Sequence, residues 1–176
     1  DVFFINEAAG TYRNQLFFSL NDGDSSMLFS DIAAVDGIMP NSDGPLRIGD
    51  GKSIGGLTGA VKIDFTIKAD GANDSNGHLY GANASRNADG LQHLIAREFK
   101  QDNDNWVLLG FEDLYGVHKS LGGHSDRDFN DVVIAVRGVT GVRVDTLEET
   151  EVPEPITTAG LLVFGALGFA QSRRKS

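Results

Sequence analysis

The sequence predicts an all-β fold, in which a β-sandwich or jelly-roll-like domain is followed by a single C-terminal hydrophobic helix. Three observations favour this class: short runs rich in β-branched and aromatic residues, frequent Asn, Asp and Gly turn signals between them, and one uncharged apolar stretch near the C-terminus. No stretch before Glu149 shows helical periodicity. Many short strands separated by turns are typical of two-sheet β domains.

The predicted strands are short runs rich in β-branched, aromatic and other apolar residues. They cover residues 2–6, 15–20, 26–30, 60–69, 91–99, 105–114 and 131–139. The clearest pattern is VKIDFTIK at 61–68, where apolar and polar residues alternate strictly, so one face is buried and the other is hydrated. The connectors NDGD, NSDG, ADGAND and QDNDN contain residues that tolerate positive φ or form Asx turns.

The composition divides the chain into three predicted regions. They are a β domain at 1–144, an acidic Pro-containing linker at 145–155, and a hydrophobic helix with a basic tail at 156–176. As a helix, the uncharged run 156–170 would extend about 22 Å, against about 30 Å for a bilayer core. A buried helix of the globular domain is therefore the alternative to a membrane anchor. Arg173, Arg174 and Lys175 favour the anchor, with the C-terminus in the cytoplasm and the β domain outside.

The charge of the chain excludes some classes of partner. With 25 acidic against 15 basic residues, the net charge is -10. This argues against nucleic acid, because phosphates require a basic face. It suits a cation-binding or soluble exported protein. The chain has no Cys, which excludes disulfides and thiolate metal sites within it.

Carboxylates are crowded directly before an apolar strand in SDRDFNDVVIAV at 125–136. Asp126, Asp128 and Asn130 stand at alternate positions, and Asp131 follows them. Oxygen ligands at alternate positions of a tight loop are typical of calcium sites. Such crowding is costly without a cation, because like charges raise one another's pKa.

Glu112 and Asp113 follow another apolar strand and would meet this loop across a strand pair. The sequence therefore predicts one calcium site between neighbouring strands. Its predicted ligands are Glu112, Asp113, Asp126, Asp128, Asn130 and Asp131. Two alternatives stay open. The side chains could cap turns by accepting bonds from backbone amides, or Glu112 and Asp128 could be the acid and nucleophile of a glycosidase.

Secondary candidates are weaker. Asn87, Asp89 and His93 in NADGLQH form either a second ligand set or a turn with structural hydrogen bonds. The QDNDN and NDGD connectors predict solvated hairpin tips rather than extra calcium sites. Trp106 is predicted to be a core residue rather than a platform for a sugar.

The motif Pro153-Glu154-Pro155 is followed by the apolar run and then by the basic end. With these three parts in this order, the C-terminal tail resembles the PEP-CTERM sorting signal of Gram-negative bacteria and cyanobacteria. The resemblance implies export to the cell surface or beyond, a transient membrane anchor, and an exosortase-type processing enzyme as a partner.

In the body of the chain, FEDL at 111–114 is followed by a Gly-containing loop and by SDRDFNDVVIAV, and AGTYRNQLFF at 9–18 and NADGLQH precede them. These stretches extend over nearly the whole domain, which thereby resembles the bacterial domain-of-unknown-function family DUF-4114. The loop YGVHKSLGGHS at 115–125 is longer than the family's usual loop. The family implies no settled activity, because its acidic residues have been interpreted both as catalytic and as calcium-binding.

Together these observations predict a non-enzymatic, exported cell-surface or extracellular-matrix protein with a calcium-stabilised β domain and a membrane-anchoring tail. One alternative is a homo-oligomer, the self-assembling subunit of an extracellular filament or sheath. Another is a carbohydrate-binding or glycosidase domain that acts on a surface exopolysaccharide.

Overall fold

The computed structural model of the chain describes residues 1–36 and 43–141. These residues lie within one compact unit, Asp1–Val144, and form nine strands and two single-turn 3-10 helices. They contain no α-helix, and among them no helix is long and apolar enough to cross a membrane. The predicted linker, hydrophobic helix and basic tail at 145–176, with the sorting-signal resemblance, lie outside the described residues.

All nine strands are short and pair antiparallel. They are β1 (Val2–Glu7), β2 (Gln15–Leu20), β3 (Ser26–Phe29), β4 (Gly51–Lys52), β5 (Ile63–Lys68), β6 (Leu79–Gly81), β7 (Leu94–Gln101), β8 (Asp104–Phe111) and β9 (Val132–Arg137). One sheet has the order β4-β1-β9-β8-β7, and the other has the order β3-β2-β5-β6. The prediction of an all-β fold is confirmed in this form, as two antiparallel sheets.

The inward faces of both sheets contribute to one hydrophobic core. Phe4 of β1 and Ile134 of β9 come from the five-stranded sheet, and Phe65 and Ile67 of β5 come from the four-stranded sheet. The alternation predicted around β5 is therefore correct, because its apolar positions 65 and 67 are buried.

Two strands were not predicted. The strand β4 has only two residues, too few to show a period. In β6, position 81 is a glycine where a strand usually has a larger residue. A Cβ atom there would lie 2.9 Å from Thr66 Cγ2. The prediction for Trp106 is wrong: this residue lies outside the core, on the outer face of its sheet, within 5.6 Å of the Phe3 ring.

The hairpin between β7 and β8 carries the chain towards the acidic segment. Asp102 and Asn103 have φ of 52° and 67°, and they connect the paired residues Gln101 and Asp104. Two central residues with positive φ are typical of a type I′ turn, which matches the twist of antiparallel strands. The QDNDN connector is thus the predicted hairpin tip, and β8 delivers its opposite end to the acidic cluster.

Candidate metal centre

The acidic centre lies where β8 ends and β9 begins. Phe111, the last residue of β8, pairs with Val132, the first residue of β9. Glu112 and Asp113 continue from β8, and Asp131 immediately precedes β9, so all three lie at the same end of the sheet. The Asp113 amide donates a 2.8 Å hydrogen bond to Asp131 Oδ2, which closes this end of the strand pair.

The loop before β9 carries Asp126 and Asp128 and packs against the end of β8. Arg127 and Phe129 have φ of 56° and 58°, a left-handed conformation that is costly for side chains of this size. Gly110 of β8 leaves room for this loop, because a Cβ atom at position 110 would lie 2.4 Å from the Phe129 carbonyl oxygen. The Arg127 guanidinium lies 5.1 Å from the centre of the Phe129 ring and packs against it.

The carboxylates form two overlapping groups that share Glu112. Each group places one oxygen of every member within 4.8 Å of the others. One group is Glu112, Asp113 and Asp131, and the other is Glu112, Asp126 and Asp128. Asn130, the remaining predicted ligand, donates from Nδ2 to Asp128 Oδ2 at 2.6 Å. The structure thus brings the five predicted carboxylates together, but as two sets of different burial rather than one.

We call Glu112, Asp113 and Asp131 the inner group, and Glu112, Asp126 and Asp128 the outer group. The inner group is buried, and little positive charge balances it. Glu112, Asp113 and Asp131 are 0%, 2% and 6% exposed. No ion pair within residues 1–36 and 43–141 involves any of the three. Glu112 Oε2 and Asp113 Oδ1 are buried without a hydrogen-bond partner among the described residues. A buried carboxylate in this situation requires a proton or a cation.

The titration behaviour of the inner group reflects this burial. Burial raises the pKa of Asp113 to about 7; a hydrogen bond from Asn14 opposes the shift and the charge of Glu112 adds to it. Burial, followed by the charge of Asp113, raises the pKa of Asp131 to about 8. In the absence of a cation, these two aspartates therefore favour binding protons near neutral pH.

Turn capping explains only part of the cluster. Asp128 Oδ1 accepts from the Asn130 amide at 3.2 Å, and Glu112 Oε1 accepts from the Leu114 amide at 3.3 Å. These bonds are the local contacts expected of acidic residues in turns. They leave the second oxygen of Glu112 and the first oxygen of Asp113 without a role.

Two polar residues complete the surroundings and were not predicted: Glu7 at the end of β1, and Asn14 just before β2. Asn14 is fully buried; its Nδ2 donates to Asp113 Oδ2 at 2.7 Å, and its Oδ1 accepts from the Asp70 amide at 2.8 Å. It thereby connects the end of β8 to the four-stranded sheet. Burial raises the pKa of Glu7, although the amides of Ala34 and Ala9 oppose this shift. The only sequence signal for Asn14 was its position in the stretch 9–18.

The NADGLQH segment positions Glu112 instead of forming a second ligand set. His93 holds the Glu112 peptide twice: its carbonyl accepts from the Glu112 amide at 3.0 Å, and its Nδ1 contacts the Glu112 carbonyl at 2.7 Å. His93 Nε2 lies 2.9 Å from Asp89 Oδ2, and the ring stacks on Tyr80 at 3.7 Å. Asn87 accepts from the Gly81 amide and donates to the Leu91 carbonyl, so it also serves the backbone.

Asp89 is held ionised by its neighbours. Burial raises the pKa of Asp89, but hydrogen bonds from the Gly116 and Leu91 amides and from His93 outweigh it and hold the pKa below its usual value. The two ring nitrogens of His93 contact the Glu112 carbonyl and the Asp89 carboxylate. This buried pair therefore fixes the orientation of the Glu112 backbone.

The long loop at 115–125 is ordered by local contacts. It contains a 3-10 turn at Lys119–Leu121 and closes through a bridge between His118 and Ser125. Ser125 is fully buried, and its Oγ accepts from the Arg127 amide at 3.0 Å. Lys119 Nζ lies 3.7 Å from Asp126, so the loop places one exposed positively charged side chain beside the outer group.

Comparison with known families finds a match for part of the chain. Residues 57–139 match the family model described as Domain of unknown function (DUF4114). The matched segment runs from before β5 to just after β9 and contains both carboxylate groups. The stretch 9–18 lies outside it, so the resemblance predicted there is not part of the match. A comparison with curated proteins and one with solved structures each found no match.

Proposed function

We propose that the chain is a non-enzymatic calcium-binding β domain of an exported cell-surface or extracellular-matrix protein, in which the cation stabilises the fold. The observation that carries this proposal is the pair of buried oxygens without partners, Glu112 Oε2 and Asp113 Oδ1. They belong to a group of three buried carboxylates, and a cation would balance the charge of that group.

Calcium suits the ligand atoms better than the transition metals. The donors in both groups are carboxylate oxygens, which hard cations prefer. His93 is the histidine nearest to Glu112, but both of its ring nitrogens are engaged by Glu112 and Asp89. Calcium accepts about six to eight oxygens in irregular geometry, so main-chain carbonyls and water would complete the shell.

Export would couple to folding through this centre. Calcium binds the native state and not the unfolded chain, so it stabilises the domain by mass action. The centre would be empty in a calcium-poor cytoplasm and would fill outside the cell. In this proposal the segment 156–176 anchors the protein in the membrane until an exosortase-type enzyme processes the tail.

Calcium titration of the metal-stripped full chain, followed by isothermal calorimetry, tests the proposal. Wild-type protein should bind calcium, and Glu112→Gln should lose most of the binding because both groups share this residue. Asp102→Asn, which changes an exposed carboxylate at the hairpin tip, should bind like the wild type. Absence of calcium binding by the folded wild type would refute the proposed function.

The burial of Glu112 supports a role without catalysis. A glycosidase needs both carboxyl groups beside a sugar cleft. The Glu112 side chain is fully buried, and its oxygen lies within 4.8 Å of the Asp128 oxygen that would be its partner. The burial of Glu112 therefore favours a structural role over contact with a sugar ring. Self-assembly into a filament or sheath stays a prediction, because it rests on the C-terminal tail, which lies outside the described residues.

Carbohydrate binding is a second candidate, favoured by aromatic side chains on the outer face of the five-stranded sheet. The Trp106 ring lies 5.6 Å from the ring of Phe3 and 6.0 Å from that of Phe99. Arg97 is exposed on the same face and forms no ion pair with any described residue. Aromatic rings beside a free cation suit an acidic polysaccharide.

Binding to polygalacturonate, with neutral dextran as the comparison, tests this candidate. Phe99→Ser and Arg97→Gln should each weaken binding at least several-fold. Leu79→Ser changes a more exposed apolar residue on the other sheet and should have no effect. Equal affinity of all three variants for polygalacturonate, or no binding by the wild type, would remove this candidate and leave the calcium proposal intact.

A further inference from the structure

We infer that the acidic centre holds two divalent cations, with the Glu112 carboxylate shared between them. This inference rests on the proposed calcium-binding function and specifies how the site is built. The inner subsite consists of Glu112, Asp113 and Asp131, all buried, and the outer subsite adds Asp126 and Asp128 to Glu112.

The geometry of Glu112 supports a bridging role. Its side chain belongs to both groups, and in each group the ligand oxygens lie within 4.8 Å of one another. Oε1 accepts only a long hydrogen bond from the Leu114 amide, and Oε2 has no partner among the described residues. A carboxylate with two oxygens available can serve two ions about 3.5–4 Å apart, as in two-metal centres.

The charge of the cluster also favours two ions. The two groups together contain five different carboxylates, Glu112, Asp113, Asp126, Asp128 and Asp131. When all are ionised, one divalent cation leaves a charge of about -3 and a second reduces it to about -1. Among the described residues, Lys119 is the one cationic side chain at ion-pair distance from these carboxylates. It is exposed, and its Nζ lies 3.7 Å from Asp126.

The two subsites should differ in affinity. Around the inner subsite, burial excludes water, so the attraction between cation and carboxylates is weakly screened. The outer subsite includes exposed Asp128 and half-exposed Asp126, whose charges are screened by solvent and salt. The inner ion therefore binds first and tightly, and the outer ion binds more weakly and with a stronger dependence on ionic strength.

Native mass spectrometry of the full chain during a calcium titration tests the inference directly. Wild-type protein should reach two ions per chain in two separated steps. Asp128→Asn should reach only one ion and keep the tight step, and its exposed position allows the fold to persist. Lys119→Gln should raise the affinity of the weak step several-fold, because it removes the cation that competes at Asp126.

The outcomes separate this inference from the calcium proposal. One ion per chain in the wild type at saturation would overturn the two-ion inference while the calcium-binding function stands. Two ions in both wild type and Asp128→Asn would show that the outer subsite is assigned wrongly. No bound ion at all would refute the proposed function itself, with circular dichroism confirming that the stripped protein is folded.

Discussion

Removing the cation should make the stability of this domain fall steeply as the pH rises. The perturbation is a pH series from 5 to 8.5 on metal-stripped protein. Asp113 and Asp131 have folded-state pKa values of about 7 and about 8, against 3.8 for an unperturbed aspartate. Between the unfolded and folded values, the native state holds more protons than the unfolded state, so the free energy of unfolding decreases with pH.

The size of the effect follows from the same shifts. One pKa unit corresponds to about 1.4 kcal/mol. Part of the Asp131 shift comes from the charge of Asp113, so the two groups share the cost and we count Asp131 alone. Its contribution is on the order of 5 kcal/mol, present in full below about pH 4 and lost once the pH has passed about 8. This is a large share of the roughly 5–15 kcal/mol that stabilises a typical domain.

Urea unfolding at each pH measures this free energy. Asp131→Asn is the matched control, because an amide oxygen can still accept from the Asp113 amide but cannot titrate. The variant reports the background from the other acidic residues of this chain. Calcium added at pH 8.5 should restore the stability of the wild type. If stripped wild type and Asp131→Asn show the same pH dependence, the inner group is not a strained carboxylate cluster and the reasoning fails.

Two further substitutions test what holds the centre in place. Gly110→Ala should lower the free energy of unfolding by about 1–3 kcal/mol, because the new methyl group would displace the Phe129 carbonyl. A Cβ atom at Gly56 would meet no atom within 4 Å, so Gly56→Ala should change this free energy by less than about 0.5 kcal/mol in the same denaturant melt. Asp89→Asn should cost about 1–3 kcal/mol, because it weakens the buried hydrogen bonds of this carboxylate to His93 and to the Gly116 and Leu91 amides. If thermal melts show that the free energy of unfolding differs from wild type by less than about 1 kcal/mol, the positioning role of Asp89 and His93 is contradicted.

Much of the fold was predictable because its determinants are local. The alternation around β5 appears in consecutive residues, and the hairpin turn appears as Asp102 and Asn103. The strand β6 was missed for a non-local reason, since Gly81 is required by its neighbour Thr66 on β5. A glycine in a short apolar segment carries no sign of this contact in the sequence.

The proximity of the acidic residues was predictable from the sequence, but their division into two groups was not. The predicted residues follow or precede two apolar strands, and antiparallel pairing of those strands is enough to bring them together. Burial separates them into two groups, and the sequence does not show which carboxylates water can reach. Asn14 lies 99 residues from Asp113, so only the packing of the two sheets brings them into contact.

Thermal unfolding of the full chain with calcium and with chelator tests the central claim most directly. Calcium at 100 times its Kd would add about 2.7 kcal/mol, which raises the Tm of a domain of this size by roughly 5–10 °C. We expect chelator to lower the Tm by this amount, calcium to restore it, and Glu112→Gln to show no response. An identical Tm in calcium and in chelator would contradict the claim that a cation stabilises the buried carboxylates.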